Sequence, residues 1–176
     1  WHKLGGECHQ FRPVYWNRVG IPGSGGKQWY RGDIEYCLCF KRPGPLPYGN
    51  PKANGHAPKY APGGKMSHRV SDGRRVHEKK MMQPSGIKES HGYIPPPIAN
   101  PGNLLEVKVG GGHMGHPYAH QNEAPFPDGI PLFFLKGHCP PGGIALDPFV
   151  GSGTVLDAAA QLGITGIGID MRMSQC

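Results

Sequence analysis

Residues 146–154 read Leu-Asp-Pro-Phe-Val-Gly-Ser-Gly-Thr, and Gly166-Ile-Gly-Ile-Asp170 follows shortly afterwards. The pattern predicts four elements in order: a strand over 144–147, a glycine turn over 151–153, a helix over 154–162 and a parallel strand over 167–170. Such a β-α-β unit is a common ligand-binding device. Glycines let a ligand approach the backbone, and a carboxylate ending the second strand can accept hydrogen bonds from two ribose hydroxyls. The two stretches therefore predict a cleft for a nucleotide-type cofactor.

Two other glycine-loop chemistries fit these residues less well. A phosphate-binding P-loop needs a lysine after its last glycine, but Thr154 is followed by Val155. A dinucleotide fingerprint needs a third glycine at the position that Leu156 occupies. A purely structural strand-turn-helix remains an alternative, because two glycines alone are weak evidence.

The residues around the loop resemble the cofactor site of the DNA amino-methyltransferases, which methylate the exocyclic amine of adenine or cytosine. Asp147-Pro-Phe149 before the loop and Gly166–Asp170 after it carry this resemblance. Upstream, His120-Gln-Asn-Glu-Ala-Pro-Phe-Pro127 and the apolar run 130–135 are similar to the family's other cofactor motif. In that motif a Pro-Phe-Pro turn opens a helix under the methionine part of the ligand, and Pro127 is well placed to begin it.

The resemblance implies S-adenosylmethionine as the cofactor. This molecule carries no phosphate, so a short glycine loop suits it. We expect Asp147 to lie near its ammonium group, Asp170 to bind its ribose hydroxyls, Phe126 to line the ligand and Phe149 to flank the adenine. The full set of candidate cofactor-binding residues is Asn122, Glu123, Phe126, Asp147, Pro148, Phe149, Gly151, Ser152, Gly153, Thr154 and Asp170.

The order of the motifs predicts the organisation of the chain. Segments 23–42 and 100–113 also resemble prophage-type members. One permuted class of the family places the cofactor loop last, as this chain does. The resemblance then implies an α/β fold, a Rossmann-like S-adenosylmethionine-dependent methyltransferase sheet that is incomplete, with a loop-rich basic insert. We expect residues 1–42 to be part of the catalytic domain, 43–99 to form the insert that reads the DNA target, and 100–176 to bind the cofactor.

The family's catalytic signature is Asp, Asn or Ser followed by Pro-Pro and an aromatic residue. The proline run Ile94–Ile98 has no polar residue before it and no aromatic residue after it, and we interpret it as an extended connector. The signature holds the weakly nucleophilic amine and stacks on a base taken out of the helix. We therefore assign no catalytic residue, expect the signature ahead of Trp1, and expect this chain to be a fragment that is inactive alone.

Three functional classes are compatible with these motifs. The first is a site-specific DNA methyltransferase, with double-stranded DNA and a cognate restriction endonuclease as candidate partners. The second is a non-catalytic prophage remnant that binds cofactor or DNA. An RNA or protein methyltransferase is the third, and the permuted order and the Pro-Phe-Pro segment favour the DNA enzymes over it.

The charge balance supports a DNA partner. The chain has 19 Lys and Arg against 12 Asp and Glu, a formal charge of +7 and a pI near 9.3. Basic residues cluster in 52–88, which is the pattern of a phosphate-binding surface. A solvated, flexible loop is the alternative interpretation. The candidate DNA contacts are Lys65, Arg69, Arg74, Arg75, Lys79 and Lys80.

Composition and patterning give further expectations. The 29 Gly and 20 Pro predict long loops around a core made of about residues 1–42 and 117–172. Alternation in 31–40 predicts a strand of the central sheet. We expect Trp16, Trp29 and Tyr30 in the core, with base stacking as the alternative.

The cysteines and the longest apolar run indicate the cellular compartment in which the chain is expected. Five cysteines at irregular spacing predict free thiols in a reducing cytoplasm, without a metal site. The resemblance to prophage-type members implies a bacterial or phage-encoded protein. The run 130–135 is too short to span a membrane.

Overall fold

The computed structural model describes residues 9–19, 27–59, 68–69, 72, 75–76, 80–83, 86–89, 96–109 and 125–172. Two compact units make up the chain: Trp1–Asn54 with Gly102–Cys176, and Gly55–Pro101. The helices are α1 (Gly129–His138), α2 (Thr154–Gln161) and a 3-10 helix (Pro51–Asn54). The strands are β1 (His9–Gln10), β2 (Val14–Asn17), β3 (Ile34–Cys37), β4 (Phe40–Lys41), β5 (His68–Arg69), β6 (Arg75–Val76), β7 (Lys80–Gln83), β8 (Gly86–Glu89), β9 (Leu104–Glu106), β10 (Ile144–Asp147) and β11 (Thr165–Gly168).

Strands β10 and β11 pair in parallel, with Ile144 opposite Thr165 and Asp147 opposite Gly168. The β-α-β unit predicted from the sequence is therefore present. Helix α2 ends one residue earlier than predicted, because Gly163 adopts a left-handed φ of 64°. The predicted bounds of the second strand were wrong: β11 begins and ends two residues earlier, so Asp170 lies beyond the strand.

Small side chains let α2 approach β10 closely. Ala145, Ala159 and Ile164 form a buried cluster, and Ala158 and Ala159 have no exposed surface. Leu135 and Cys139, at the end of α1, pack against the same cluster. The two helices are thereby fixed on one side of the β10–β11 sheet.

The opposite face of this sheet is apolar and open to solvent. Ile144, Leu146, Ile167 and Ile169 are between 46% and 66% exposed. Parallel sheets in α/β proteins are normally covered on both faces. The exposed face agrees with the incomplete sheet predicted from the sequence.

The glycines of β11 are required by packing. A Cβ atom on Gly166 would lie 2.7 Å from Leu156 Cδ2, and one on Gly168 would lie 2.6 Å from Val150 Cγ2. Both distances are well inside van der Waals contact. The glycines in Gly166-Ile-Gly168 therefore let α2 and the turn that follows β10 lie directly on the strand.

We expect Gly166→Ala and Gly168→Ala each to lower the free energy of unfolding by about 1 to 3 kcal/mol, because an added methyl overpacks the interface. Chemical denaturation monitored by circular dichroism measures the change. Gly32→Ala is the matched control, since a Cβ there meets nothing within 4 Å. Equal stability of all three variants would contradict the packing argument.

Helix α1 begins later than the Pro-Phe-Pro turn suggested. Pro127 is fully buried and precedes Asp128, which is the N-cap residue, so the first helical residue is Gly129. Pro131 lies in the first turn, where its missing N–H is not needed. The prediction that Pro127 itself begins the helix was wrong by two positions.

A second sheet has the strand order β3-β2-β9, with β3 antiparallel and β9 parallel to β2. Trp16 on β2 is buried, and its Nε1 donates a hydrogen bond to the carbonyl of Val107 at 2.9 Å. The core prediction for Trp16 is confirmed.

The strand predicted over 31–40 differs from the structure in two ways. It is divided into β3 and β4 by Leu38 and Cys39, and neither strand joins the β10–β11 sheet: β3 pairs with β2, and β4 pairs with β1. The core prediction was wrong for Trp29 and Tyr30, which are highly exposed. Alternation in the sequence marks a strand but does not specify its neighbours.

The unit Gly55–Pro101 contains two short antiparallel pairs, β5 with β6 and β7 with β8. His56 and Ala99 form an isolated antiparallel bridge near the two ends of the unit. The predicted basic insert over 43–99 falls largely within this unit. Within the described ranges, no helix has both the length and the apolar character needed to cross a lipid bilayer.

Candidate cofactor site

The loop between β10 and α2 is shaped by two glycines in the left-handed region. Gly151 has a φ of 48° and Gly153 a φ of 84°. Gly153 is the N-cap residue of α2, and no side chain caps this helix end. The first backbone N–H groups of a helix have no intrahelical acceptor, so they can donate to a ligand.

Asp147 lies at the carboxyl end of β10 and folds back on its own turn. Its Oδ1 accepts a hydrogen bond from the backbone N–H of Phe149 at 3.0 Å. This contact fixes the carboxylate beside the loop and leaves Phe149 85% exposed. Pro148 between them is also exposed.

Asp170 connects the two loops that follow β10 and β11. Its Oδ2 accepts the backbone N–H of Gly151 at 3.0 Å, and its Oδ1 accepts that of Arg172 at 2.8 Å. The Nε of Arg172 lies 3.7 Å from the same Oδ1, and the Asp170 side chain is only 11% exposed. The carboxylate is therefore part of the framework of the loop as well as a candidate ligand group.

The surroundings of Asp170 favour its ionised form. The backbone N–H of Arg172, then that of Gly151 and the Arg172 charge, hold the pKa of the Asp170 carboxyl below its usual range. A lowered pKa means that the stabilising contribution is present above about pH 4 and is lost as the pH falls through the folded-state pKa. Asp170 is therefore a carboxylate at neutral pH.

Backbone hydrogen bonds bring the two acidic residues into one site. The N–H of Ile169 donates to the carbonyl of Asp147 at 2.9 Å, and the N–H of Val150 donates to the carbonyl of Ile169 at 3.0 Å. Thr154 at the start of α2 is buried, whereas Ser152 is partly exposed. The candidates between 147 and 170 thus lie together around the glycine loop.

The remaining candidate residues lie away from the glycine loop in sequence, and several lie outside the described residues. Phe126 is 36% exposed and directly precedes the buried Pro127, ahead of α1, which packs on α2. Asn122 and Glu123 lie outside the described residues. The predicted DNA contacts fall in the other unit: Lys65, Arg74 and Lys79 lie outside the described residues, and Arg69, Arg75 and Lys80 are described only as backbone of β5, β6 and β7.

Sequence reasoning missed the role of Arg172. An arginine two residues after the acid was the available signal, because that spacing allows both its N–H and its guanidinium to reach the carboxylate.

The sequence also gave no indication of a separate apolar cavity of about 690 Å³. This cavity contains none of the candidate cofactor residues. Its lining comprises Phe11, Arg12, Val14, Cys37, Leu38, Cys39, Phe40, Leu46, Phe134 and His138.

The cysteines in the described ranges carry free thiols. Cys37, Cys39 and Cys139 are half-buried and unpaired with each other. Burial raises the pKa of the Cys37 thiol, so the uncharged form is favoured. Among the side chains that the structure describes, no cluster of three His, Cys, Asp or Glu residues could hold a metal ion.

A parallel β-α-β unit with a glycine loop, an acid at the end of the first strand and a second acid two residues beyond the next strand is the pattern of Rossmann-like cofactor-binding folds. Comparison with known families specifies the class further. The family model for DNA methylases that act at N6 or N4 positions matches residues 13–176. The chain therefore belongs to this family, whose members use S-adenosylmethionine, and the resemblance inferred from the motifs is confirmed.

Individual relatives agree with the family assignment. The Type II methyltransferase M.MjaII of Methanocaldococcus jannaschii is 41% identical over 64 residues, which are 36% of this chain and 11% of that protein. The structure of the PvuII DNA methyltransferase (cytosine-N4-specific) has a TM-score of 0.55 at 16% identity, covering 91% of this chain and 46% of that one. The complex of M1.HpyAVI with S-adenosylmethionine has a TM-score of 0.53 at 19% identity, covering 98% of this chain and 61% of that one.

At these identities the structural matches show the fold. They confirm the predicted Rossmann-like α/β methyltransferase fold. The chain spans about half the length of the two solved structures, and its match covers about a tenth of the sequence relative.

Proposed function

We propose that this chain supplies the S-adenosylmethionine-binding part of an enzyme that methylates the exocyclic amine of adenine or cytosine in double-stranded DNA. The observation that carries the proposal is the glycine loop held between Asp147 and Asp170. Family membership supports DNA as the substrate class.

The geometry of the loop fits this cofactor. S-adenosylmethionine carries an ammonium group, a carboxylate and a sulfonium, but no phosphate. Two carboxylates suit its cationic groups and hydroxyls, and the uncapped N-terminus of α2 suits its carboxylate. A Cβ on Gly153 would meet nothing within 4 Å, so there is open space beside the loop.

The candidate residues have distinct roles in this proposal. Asp147 accepts from the ammonium group and Asp170 from the ribose hydroxyls, since an ionised carboxylate has lone pairs beyond those used by backbone N–H groups. Phe149, which is 85% exposed, flanks the adenine. Phe126 lines the ligand, together with Asn122 and Glu123. Pro148, Gly151, Ser152, Gly153 and Thr154 provide the loop surface.

Methyl transfer needs more than a bound donor. S-adenosylmethionine supplies an electrophilic methyl group, but the amine acceptor has a delocalised lone pair and must be positioned by polar groups. Residues 1–176 contain no polar-Pro-Pro-aromatic sequence. We therefore assign this chain the cofactor and DNA contacts, and no residue that positions the amine.

Calorimetric titration of the folded chain with S-adenosylmethionine tests the proposal. We expect saturable binding of one molecule per chain. The demethylated product should compete for the same site, whereas ATP, which needs a phosphate-binding lysine, should not. Absence of saturable binding by a chain with native-like circular dichroism would contradict the proposed function.

The basic insert is expected to contact phosphates. DNA affinity should fall steeply with added salt, and replacing Arg74 and Arg75 together with alanine should reduce the salt slope by roughly two, about one for each lost contact. Fluorescence anisotropy at several salt concentrations measures the slope. Replacing Lys108 and Lys136, which lie in the other unit, with alanine provides the charge-matched control. An unchanged slope in the arginine variant would make the insert a solvated loop.

A further inference from the structure

Trp29 and Tyr30 are adjacent aromatic residues left in solvent. They lie just ahead of β3, with 79% and 86% of their surface exposed. Their ring centroids are 5.5 Å apart and the ring planes are inclined by 60°. Trp16, by contrast, is only 6% exposed. Because aromatic side chains carry large apolar surfaces, an exposed pair indicates a contact surface.

The backbone that follows these rings is firmly held on β2. The N–H of Arg18 donates to the carbonyl of Asp33 at 2.9 Å, and Arg18 Nη2 donates to the carbonyl of Gly32 at 2.8 Å. The guanidinium of Arg18 also pairs with Glu35 at 2.8 Å. The exposed rings are therefore attached to an anchored segment, which limits the entropy that a ligand contact would cost.

The charges near the rings favour an anionic ligand. Both acids of the segment are neutralised by arginines, because Arg31 pairs with Asp33 and Arg18 pairs with Glu35. Lys27, two residues before Trp29, adds a further positive charge. A polyanion that also presents planar apolar rings matches this combination of groups.

We propose that Trp29 and Tyr30 form a stacking surface for unpaired bases of a DNA strand, with Lys27 beside the phosphates. The inference rests on the proposed function, in which DNA is the substrate. Chemistry on an exocyclic amine takes a base out of the duplex, so unpaired nucleotides are present in such a complex. Aromatic side chains bind the faces of unpaired bases with little sequence preference. Trp29 and Tyr30 belong to a different unit from Gly55–Pro101.

Anisotropy with a short labelled single strand tests the stacking surface. The double variant Trp29→Ala and Tyr30→Ala should weaken single-strand binding roughly fivefold to hundredfold, the range that loss of base stacking produces. Trp29→Phe with Tyr30→Phe should retain most of the affinity. Leu104→Ala, at an exposed apolar position (53%), is the control and should bind like the parent.

Two further measurements separate the possible failures. Each variant should bind S-adenosylmethionine with the affinity of the parent chain. If the parent chain itself does not bind S-adenosylmethionine, that result contradicts the proposed function and not the stacking surface. Unchanged single-strand affinity in the alanine variant, or failure of the parent to bind DNA, would overturn the stacking surface. A changed sedimentation coefficient with unchanged DNA affinity would overturn it in favour of a protein contact.

Discussion

Replacing Asp170 with alanine is expected to weaken S-adenosylmethionine binding roughly tenfold to hundredfold, the range for losing charge-assisted hydrogen bonds. Two effects act together. The variant loses the group assigned to the ribose hydroxyls, and it also loses the acceptor that holds the N–H of Gly151 at 3.0 Å. Asp147→Ala removes the group assigned to the ammonium and should give a loss of similar size. Calorimetry on the folded variants measures both losses.

Matched variants separate the ligand contact from the loop contact. Asp170→Asn keeps one carbonyl acceptor for the backbone and removes the charge, so we expect an intermediate loss. Arg172→Ala removes a half-exposed guanidinium that lies 3.7 Å from the carboxylate, and so distant an exposed pair should contribute little to cofactor affinity. Because the pKa of Asp170 is lowered, affinity should not titrate with it between about pH 5 and pH 8. Unchanged affinity in Asp170→Ala would remove the ribose assignment.

The glycine loop and its acids were predictable because their chemistry is local. A strand must end before Pro148, glycines permit the left-handed turn, and the run from Thr154 onward suits a helix. The strand β10 has the predicted bounds. Each of these features depends on residues only a few positions apart in the chain, so it can be predicted from a single sequence.

Features that depend on distant partners were not predictable from the sequence. The Gly166 and Gly168 positions are set by Leu156 and Val150, which pack on β11. The pairing of β2 with β9 joins segments almost ninety residues apart in the chain. The binding of Asp170 to Gly151 likewise arises only when the two loops meet.

The chain of 176 residues is expected to transfer no methyl group to DNA, even where it binds the cofactor. The proline runs at 95–97 and 140–141 both lack the flanking residues of the polar-Pro-Pro-aromatic signature that would hold a displaced amine. Pro140 and Pro141 instead lie in the turn between α1 and β10, where the N–H of Gly143 donates to the carbonyl of Pro140. Neither run has the sequence of the family's amine-positioning signature.

Transfer of labelled methyl groups to mixed-sequence DNA measures this expectation. The comparison is between the chain alone and the chain joined to a family segment that carries an intact polar-Pro-Pro-aromatic sequence, at equal folded concentration. Activity only in the joined protein would show that the donor site is functional and that the chain alone has no acceptor site. Robust turnover by the chain alone would show that the acceptor is held elsewhere, and Asn100-Pro-Gly102 or the segment 113–120 would then be the first candidates for mutation.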